Sequence, residues 1–411
     1  MKWRRHVINW GCLLLAGWWI VSNYNHNAFL KFAIYVFKVL AWMVFGALVY
    51  ELIRQNFYKF RSDTRDLKRR IDAMGKNYVA RRPNAALIIA FCRRGNFYCK
   101  GFGKVSDANP DPPDAQTIFE IGSVTKVFTA LALAKMANDG SVKLDDFISR
   151  YLPEGVNSPK RDGVEITLKN LATHTSGLPR LPDNFWPTVK DKLNPYANYS
   201  TQDLYAGLAT VKLRRIPGRR SSYSNYGYGL LGKILELKSG KSYEALIQES
   251  VCAPLGLRNT TTQLSEGQKR QLTPGHSPAG EIVPNWDGDT LAGCGRILSN
   301  AGDLLKFIEA NLADADTEIS NILQMAQQVH FKGLARDIGL GWQINTGTLG
   351  GPALHWHNGG TGGYVSFIGF DKKHQTGVVV LSNYGAALVG DTSTDQIGMN
   401  LLKMGDKISL E

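Results

Sequence analysis

Phe119-Glu120-Ile121-Gly122-Ser123-Val124-Thr125-Lys126 runs directly into a largely apolar segment, residues 127–137. Gly122 ahead of a helical pattern is a turn signal, and Ser123 then falls at the helix N-terminus, where a hydroxyl commonly caps. Residues three apart share a helix face, so Lys126 is carried back toward the Ser123 hydroxyl. A serine hydroxyl is a poor nucleophile until a neighbouring base takes its proton. A lysine amine can serve as that base only where burial or nearby positive charge disfavours its ammonium form. The N–H groups of a first turn have no helical partner and can face a developing oxyanion. One short segment therefore offers a nucleophile, a candidate base and part of an oxyanion site. Taken alone, S-x-x-K is a common coincidence, with Ser123 a plain cap and Lys126 a solvated side chain. Ser123 is nevertheless the only serine in the chain followed three positions later by Lys.

The 411 residues are 44% hydrophobic and 20% charged, an ordinary globular composition with room for one large domain or two smaller ones. The net charge of +13 is unevenly placed. Residues 1–80 hold thirteen Lys/Arg against four Asp/Glu, so most of the excess lies there and the body is close to balanced. With no basic patch interleaved with aromatics in the body, nucleic-acid binding is a poor reading. Basic residues beside apolar segments point to a membrane surface instead. The apolar segments are residues 7–22 and 28–53, with tryptophans and tyrosines in or beside both. The linker between them carries no Lys or Arg, whereas Arg54, Lys59, Arg61, Arg65, Lys68, Arg69 and Arg70 follow the second. The expectation is a membrane anchor over residues 1–56, with two transmembrane helices, and a basic linker over 57–80. It implies a multi-pass protein of the cell (inner) membrane with the lipid bilayer as a partner. The positive-inside pattern places the main domain in the cytoplasm.

Residues 85–92 and 96–103 read as a strand pair. Cys92 and Cys99 fall opposite each other only if the connecting loop is residues 94–97, so a disulfide depends on register and two buried thiols are equally compatible. Helical periodicity dominates residues 167–265, and two more helices follow near 301–312 and 318–329. Strands return at 340–344, 354–357, 364–370 and 377–382, before a final helix near 393–404. Strands at both ends with helices between predict an α+β domain over residues 81–411. An antiparallel sheet is flanked by helices, and a mostly helical lobe covers about 150–290.

Two further motifs raise the standing of Ser123. Ser222-Tyr223-Ser224-Asn225 precedes a helix, and His357-Asn358-Gly359-Gly360-Thr361-Gly362-Gly363 ends a C-terminal strand, where glycines let backbone approach a ligand. Tyr223 could act as phenolate base or proton relay, if the Lys126 charge favours the ionised phenol. Asn225 could donate an amide hydrogen bond to a substrate carbonyl. With these motifs and Leu171-Ala172-Thr173-His174-Thr175-Ser176-Gly177-Leu178-Pro179, residues 80–405 resemble the serine β-lactamase and penicillin-binding-protein superfamily. The resemblance is to its class C-like branch, with the family VIII esterases and D-amino-acid peptidases.

By that resemblance Ser123 is the acylated nucleophile, Lys126 its partner base, and Tyr223 the base that protonates the leaving group and activates the deacylating water. Asn225, His357, Asn358 and Gly359 would contact substrate, and the N–H groups of Ser123 and Gly360 would form the oxyanion hole. His357 stands where class C β-lactamases carry the lysine of Lys-Thr-Gly, and a neutral imidazole holds a carboxylate less well. Family habit also favours a periplasmic domain, against the charge pattern. His174 reads as a structural hydrogen-bonding residue, Glu120 as a surface or capping charge, and Trp356 as core. His355 and His357 share a strand face, but no third ligand stands at metal spacing.

The expected function is a membrane-anchored serine hydrolase working through an acyl-enzyme on an amide, ester or β-lactam carbonyl of a small molecule or short peptide, without cofactor or metal. The alternative is a non-catalytic sensor or scaffold that captures a peptide or lactam on the same fold.

Overall fold

The computed structural model describes Ala41, Gly46 and residues 67–346, 352–385 and 394–404. The chain divides into one unit over Met1–Arg65 and another over Asp66–Glu411, and the second carries the features below.

β1 (Ala86–Arg93) and β2 (Asn96–Gly103) form a hairpin whose turn is only Arg94-Gly95. Both turn residues have positive φ (49° and 79°), the mirror-image turn that matches strand twist. That short turn sets the register. Cys92 pairs with Phe97 and Cys99 with Ala90, so the two cysteines are out of register and both are free thiols.

β3 (Ile118–Glu120) pairs with β4 (Leu298–Asn300), a small ribbon beneath the S-x-x-K segment. The C-terminal strands are β5 (Asp337–Ile338), β6 (Gln343–Asn345), β7 (Leu354–Gly360), β8 (Val365–Asp371) and β9 (Thr376–Ser382). They join the first hairpin in one antiparallel sheet of order β2-β1-β9-β8-β7-β6-β5. β1 lies inside the sheet, next to the edge strand β2, because β9 pairs with it along its length, which closes the domain from both ends of the chain.

Side chains alternate across a strand, so each central strand feeds two cores. From β1, Ala86, Ile88, Ala90 and Cys92 face a large core shared with the helical lobe. Leu87, Ile89 and Phe91 face a smaller core built with α1 (Leu67–Val79) and α6 (Thr394–Leu402). Burial on both faces is why β1 and β9 read as unbroken apolar runs rather than alternating ones. α1 is rich in charge, but Leu67, Ile71, Gly75 and Tyr78 recur at helical spacing and form its buried side. Gly75 admits the Phe102 ring, which an added Cβ would meet at 2.3 Å.

On the other face lie α2 (Thr125–Asn138), α4 (Ala301–Leu312) and α5 (Glu318–Gln327), with α3 (Asn225–Ser239) deeper in the lobe. α2 is buried nearly all round, and the stacked rings of Phe128 and Phe307 lock it to α4.

The α+β architecture matches expectation, but the transmembrane helices do not. Among the described residues no helix is long and apolar enough to cross a membrane. The physical reason is reach. The longest described helix, α3, has 15 residues, about 22 Å of rise against a hydrocarbon layer of about 30 Å. This overturns the expected N-terminal transmembrane helices and the multi-pass inner-membrane location, and leaves the bilayer unsupported as a partner. Residues 7–22 and 28–53, apart from Ala41 and Gly46, lie outside the described residues.

Ile71 is fully buried between α1 and the sheet. Ile71→Ala is expected to destabilise the domain by about 2–5 kcal/mol, read from urea unfolding. A midpoint equal to that of the parent chain would show that α1 adds nothing to the sheet.

Candidate active site

Ser123 does not cap α2. The chain enters the helix through a 3-10 turn, Gly122–Val124, and neither start is capped by a side chain. The Ser123 hydroxyl is therefore uncommitted to backbone, and it accepts a hydrogen bond from Lys126 Nζ at 3.1 Å. The turn is clamped by its neighbours. Ile121 N–H donates to the Ile297 carbonyl (3.1 Å), and Ser366 Oγ donates to the Ile121 carbonyl (2.8 Å). Gly122 has φ +49°, and an added Cβ would lie 2.7 Å from Gly360 N. A Cβ on Gly359 would lie 2.0 Å from the Ile121 oxygen and 2.9 Å from Ser123 N. These two glycines let the end of β7 touch the turn that carries Ser123, backbone to backbone.

Lys126 is fully buried. Besides Ser123 Oγ, its Nζ donates to the Cys294 carbonyl at 2.6 Å. It lies 4.8 Å from the centre of the Tyr223 ring and 5.7 Å from that of Tyr228. The turn that supplies the carbonyl is fixed from α2, since Thr129 Oγ1 sits 2.8 Å from the Gly293 oxygen. Gly341, at φ +75°, passes so close that a Cβ would lie 3.0 Å from the Lys126 oxygen.

Tyr223 immediately precedes α3. The next residue, Ser224, caps that helix by accepting from Gly227 N–H (2.8 Å) and donates to the Pro179 carbonyl (2.6 Å). His174, held at φ +58°, packs against Tyr223 with ring centres 4.3 Å apart and planes tilted by 34°. Its Nδ1 accepts from Ser224 N–H at 3.1 Å, so a neutral ring carries its proton on Nε2. Burial first, and the Lys126 charge second, hold His174 well below the ordinary histidine range.

His357 is 1% exposed, and its Nδ1 donates to the Asn358 carbonyl at 2.7 Å. Burial, then the Lys126 charge, lowers its pKa to about 3, so it is an uncharged ring at neutral pH. Asn358 donates to Asp395 (2.7 Å). Asn225 is turned differently from expectation: its Nδ2 donates to the Tyr196 hydroxyl (3.1 Å), and its buried Oδ1 has no partner. His355 stacks on Phe370 and contacts the Gln327 carbonyl, apart from His357. Among the described residues no group of three His, Cys, Asp or Glu side chains is placed to hold a metal ion.

Ser123, Tyr223, His357, Asn358, Gly359 and Gly360 line one cleft of about 1200 Å³. Two of its neighbours were not anticipated. Glu120 is buried rather than a surface charge; it accepts from Trp286 N–H at 2.7 Å, and burial raises its pKa. All of β3 is buried, which the apolar residues beside Glu120 foreshadow. The Arg180 guanidinium lies 5.2 Å from the centre of the Tyr223 ring, a placement that no local motif announces.

The neutral His357 has a consequence for stability. Below pH 6.5 the unfolded chain protonates this histidine and the folded chain does not until about pH 3. Stability from this group is thus present above the ordinary histidine range and is lost as pH falls, by up to ~1.4 kcal/mol per unit. His357→Asn is expected to flatten the fall in stability between pH 6 and 4, measured by urea unfolding. Parallel curves for the two proteins would contradict the buried neutral ring.

A family profile described as Beta-lactamase matches residues 71–396. The D-alanyl-D-alanine-carboxypeptidase/endopeptidase AmpH of Escherichia coli (strain K12) is 31% identical over 305 residues, which cover 69% of this chain and 75% of that one. A beta-lactamase of Pseudomonas fluorescens is 26% identical over 349 residues, 77% of this chain and 94% of that one. Among solved structures, a beta-lactamase/D-alanine carboxypeptidase from Yersinia pestis, complexed with citrate, superposes with a TM-score of 0.66 at 26% identity. It covers 81% of this chain and 97% of its own. A class C beta-lactamase gives 0.69 at 22% identity, with 83% and 97% covered, a likeness of fold alone. With most of its length matched by that profile, the chain belongs to the beta-lactamase family and is a serine hydrolase of its S-x-x-K type.

Proposed function

We propose that this hydrolase works through an acyl-enzyme on Ser123. The observation that carries the reading is the 3.1 Å contact between Lys126 Nζ and Ser123 Oγ at the floor of the cleft. In its uncharged form the Lys126 amine takes the Ser123 proton as Oγ bonds to the substrate carbonyl carbon. The carbonyl oxygen gains negative charge and would be met by the N–H groups of Ser123 and Gly360, a reading supported by the close approach of the β7 end to the Ser123 turn at Gly122 and Gly359. When the carbonyl–leaving-group bond breaks, the Tyr223 hydroxyl supplies a proton to the departing nitrogen or oxygen. The resulting phenolate then takes a proton from water, whose oxygen attacks the ester carbon, and Ser123 leaves with its proton restored.

Asn225 does not itself line the cleft and its unpaired Oδ1 is buried, so accepting an N–H from a peptide-like substrate would require the side chain to turn toward Tyr223. The uncharged His357 offers a substrate carboxylate a hydrogen bond at most, so on its own it favours esters over substrates that carry a carboxylate beside the scissile bond. The D-alanyl-D-alanine carboxypeptidase activity in the name of the Escherichia coli relative supports an amide of a short peptide as the other candidate, with the carboxylate held by groups other than His357.

With p-nitrophenyl acetate as substrate, Ser123→Ala is expected to lower kcat/KM at least ~10³-fold, and Tyr223→Phe by ~10²–10⁴. Turnover by Ser123→Ala at the parent rate would refute the acyl-enzyme, whereas acylation of the parent protein without turnover would favour the sensor alternative, and no labelling of Ser123 the scaffold.

A further inference from the structure

The walls of the cleft carry a charge pattern that proton transfer at Ser123 does not use. Its lining includes Arg82, Arg180, Arg219, Arg220, Lys332 and Arg336, against a single acid, Asp395. The whole chain has 48 Lys/Arg to 35 Asp/Glu, so the cleft is far more lopsided than the protein. Asp395 accepts from the Asn358 amide, and even when ionised it offsets only one of the six positive charges. Among the described residues none of the six cations has a carboxylate partner within ion-pair distance, although pairs are common elsewhere on this domain.

Three of the six are held on aromatic faces instead. Arg180 lies over Tyr223, Arg336 over Trp356 at 5.3 Å, and Arg82 over Tyr78 at 4.0 Å. A stacked guanidinium is oriented while much of its donor edge stays open for a planar anion. Arg180 is further fixed through its backbone, since its carbonyl accepts from Asn225 N–H and Tyr226 N–H, both at 3.0 Å. Arg336 is steadied by a hydrogen bond to Gln343. Arg180 and Arg336 both reach the centre electrostatically, the first acting on His174 and the second on His357. The cations also come from separate parts of the chain. Arg219 and Arg220 sit just before Tyr223, whereas Lys332 and Arg336 belong to the loop between α5 and β5.

We propose that the cleft selects acyl donors carrying two or more carboxylates, one met by Arg180 with Arg219 and Arg220, another by Arg336 with Lys332. This rests on the Ser123 reading above and names a substrate class for it. His357, being uncharged, leaves anion recognition to these side chains. A singly charged or neutral acyl donor would engage part of the set and react more slowly.

The test is a series of matched lactams: benzylpenicillin methyl ester, benzylpenicillin, and α-carboxybenzylpenicillin, with none, one and two carboxylates. The readout is the second-order rate of adduct formation by intact-protein mass. The expected result is a rise at each step, about tenfold over the series. That gain should shrink severalfold between about 0.02 M and about 0.5 M NaCl, because exposed charges are screened. In Arg219→Gln/Arg220→Gln the ratio of the doubly to the singly charged lactam should drop, a quantity that cancels any general loss of active protein. Equal rates across the series, a salt-independent ratio, or no adduct from any of the three would overturn the inference. Failure of the underlying reading looks different: hydrolysis of p-nitrophenyl acetate would then survive Ser123→Ala.

Discussion

A lysine amino group with no exposed surface has to be met by something, and here it is met without a carboxylate. Lys126 Nζ donates to the Ser123 hydroxyl and the Cys294 carbonyl and rests between the rings of Tyr223 and Tyr228. Leaving such a group unsatisfied in the interior costs several kcal/mol. The surrounding chain is therefore arranged to reach it from three directions. The turn at Ala292–Cys294 comes from one side and the loop before α3 from another, while Gly341 passes close behind. The same contact that satisfies the amine leaves a serine hydroxyl with a hydrogen-bonded nitrogen beside it. Stability and chemistry draw on one hydrogen bond.

The electrostatics of the site follow from that choice. A cationic amine inside the lobe works against any second positive charge nearby, and both neighbouring histidines are held uncharged by burial with Lys126 as the next cause. The other positive charges of the cleft lie along its walls, on Arg82, Arg180, Arg219, Arg220, Lys332 and Arg336. On the proposals above, the inner site would handle protons and the rim anions. Tyr223 belongs to both regions, with Lys126 on one side of its ring and Arg180 on another.

Much of this was legible in the sequence, for physical reasons that can be named. The central strands announce themselves because a strand buried on two faces is apolar throughout. The glycines at 122, 359 and 360 mark places where backbone meets backbone, and only the fold reveals which pairs meet. What stayed hidden depends on long-range geometry. Ser123 looks like a cap because capping is a local rule, whereas the 3-10 turn is imposed by clamps from Ile297 and Ser366. Asn225 is drawn away from the cleft by a residue 29 positions earlier, its amide donating to the Tyr196 hydroxyl, a contact that no local motif announces. The stretch holding α1 reads as a charged, helix-compatible linker, and its packing on the sheet is hard to foresee because four buried positions in thirteen are a narrow stripe. The apolar N-terminal segments suggested membrane helices, but no described helix has the length and apolarity to span a bilayer.

The central claim is that the reacting atom is Ser123 Oγ. The most direct measurement is to mix the protein with an activated ester, quench in acid before deacylation is complete, digest, and locate the added acyl mass by peptide sequencing. The account predicts the acyl group on Ser123. An acyl group found instead on Ser221, Ser366 or any other residue would contradict it.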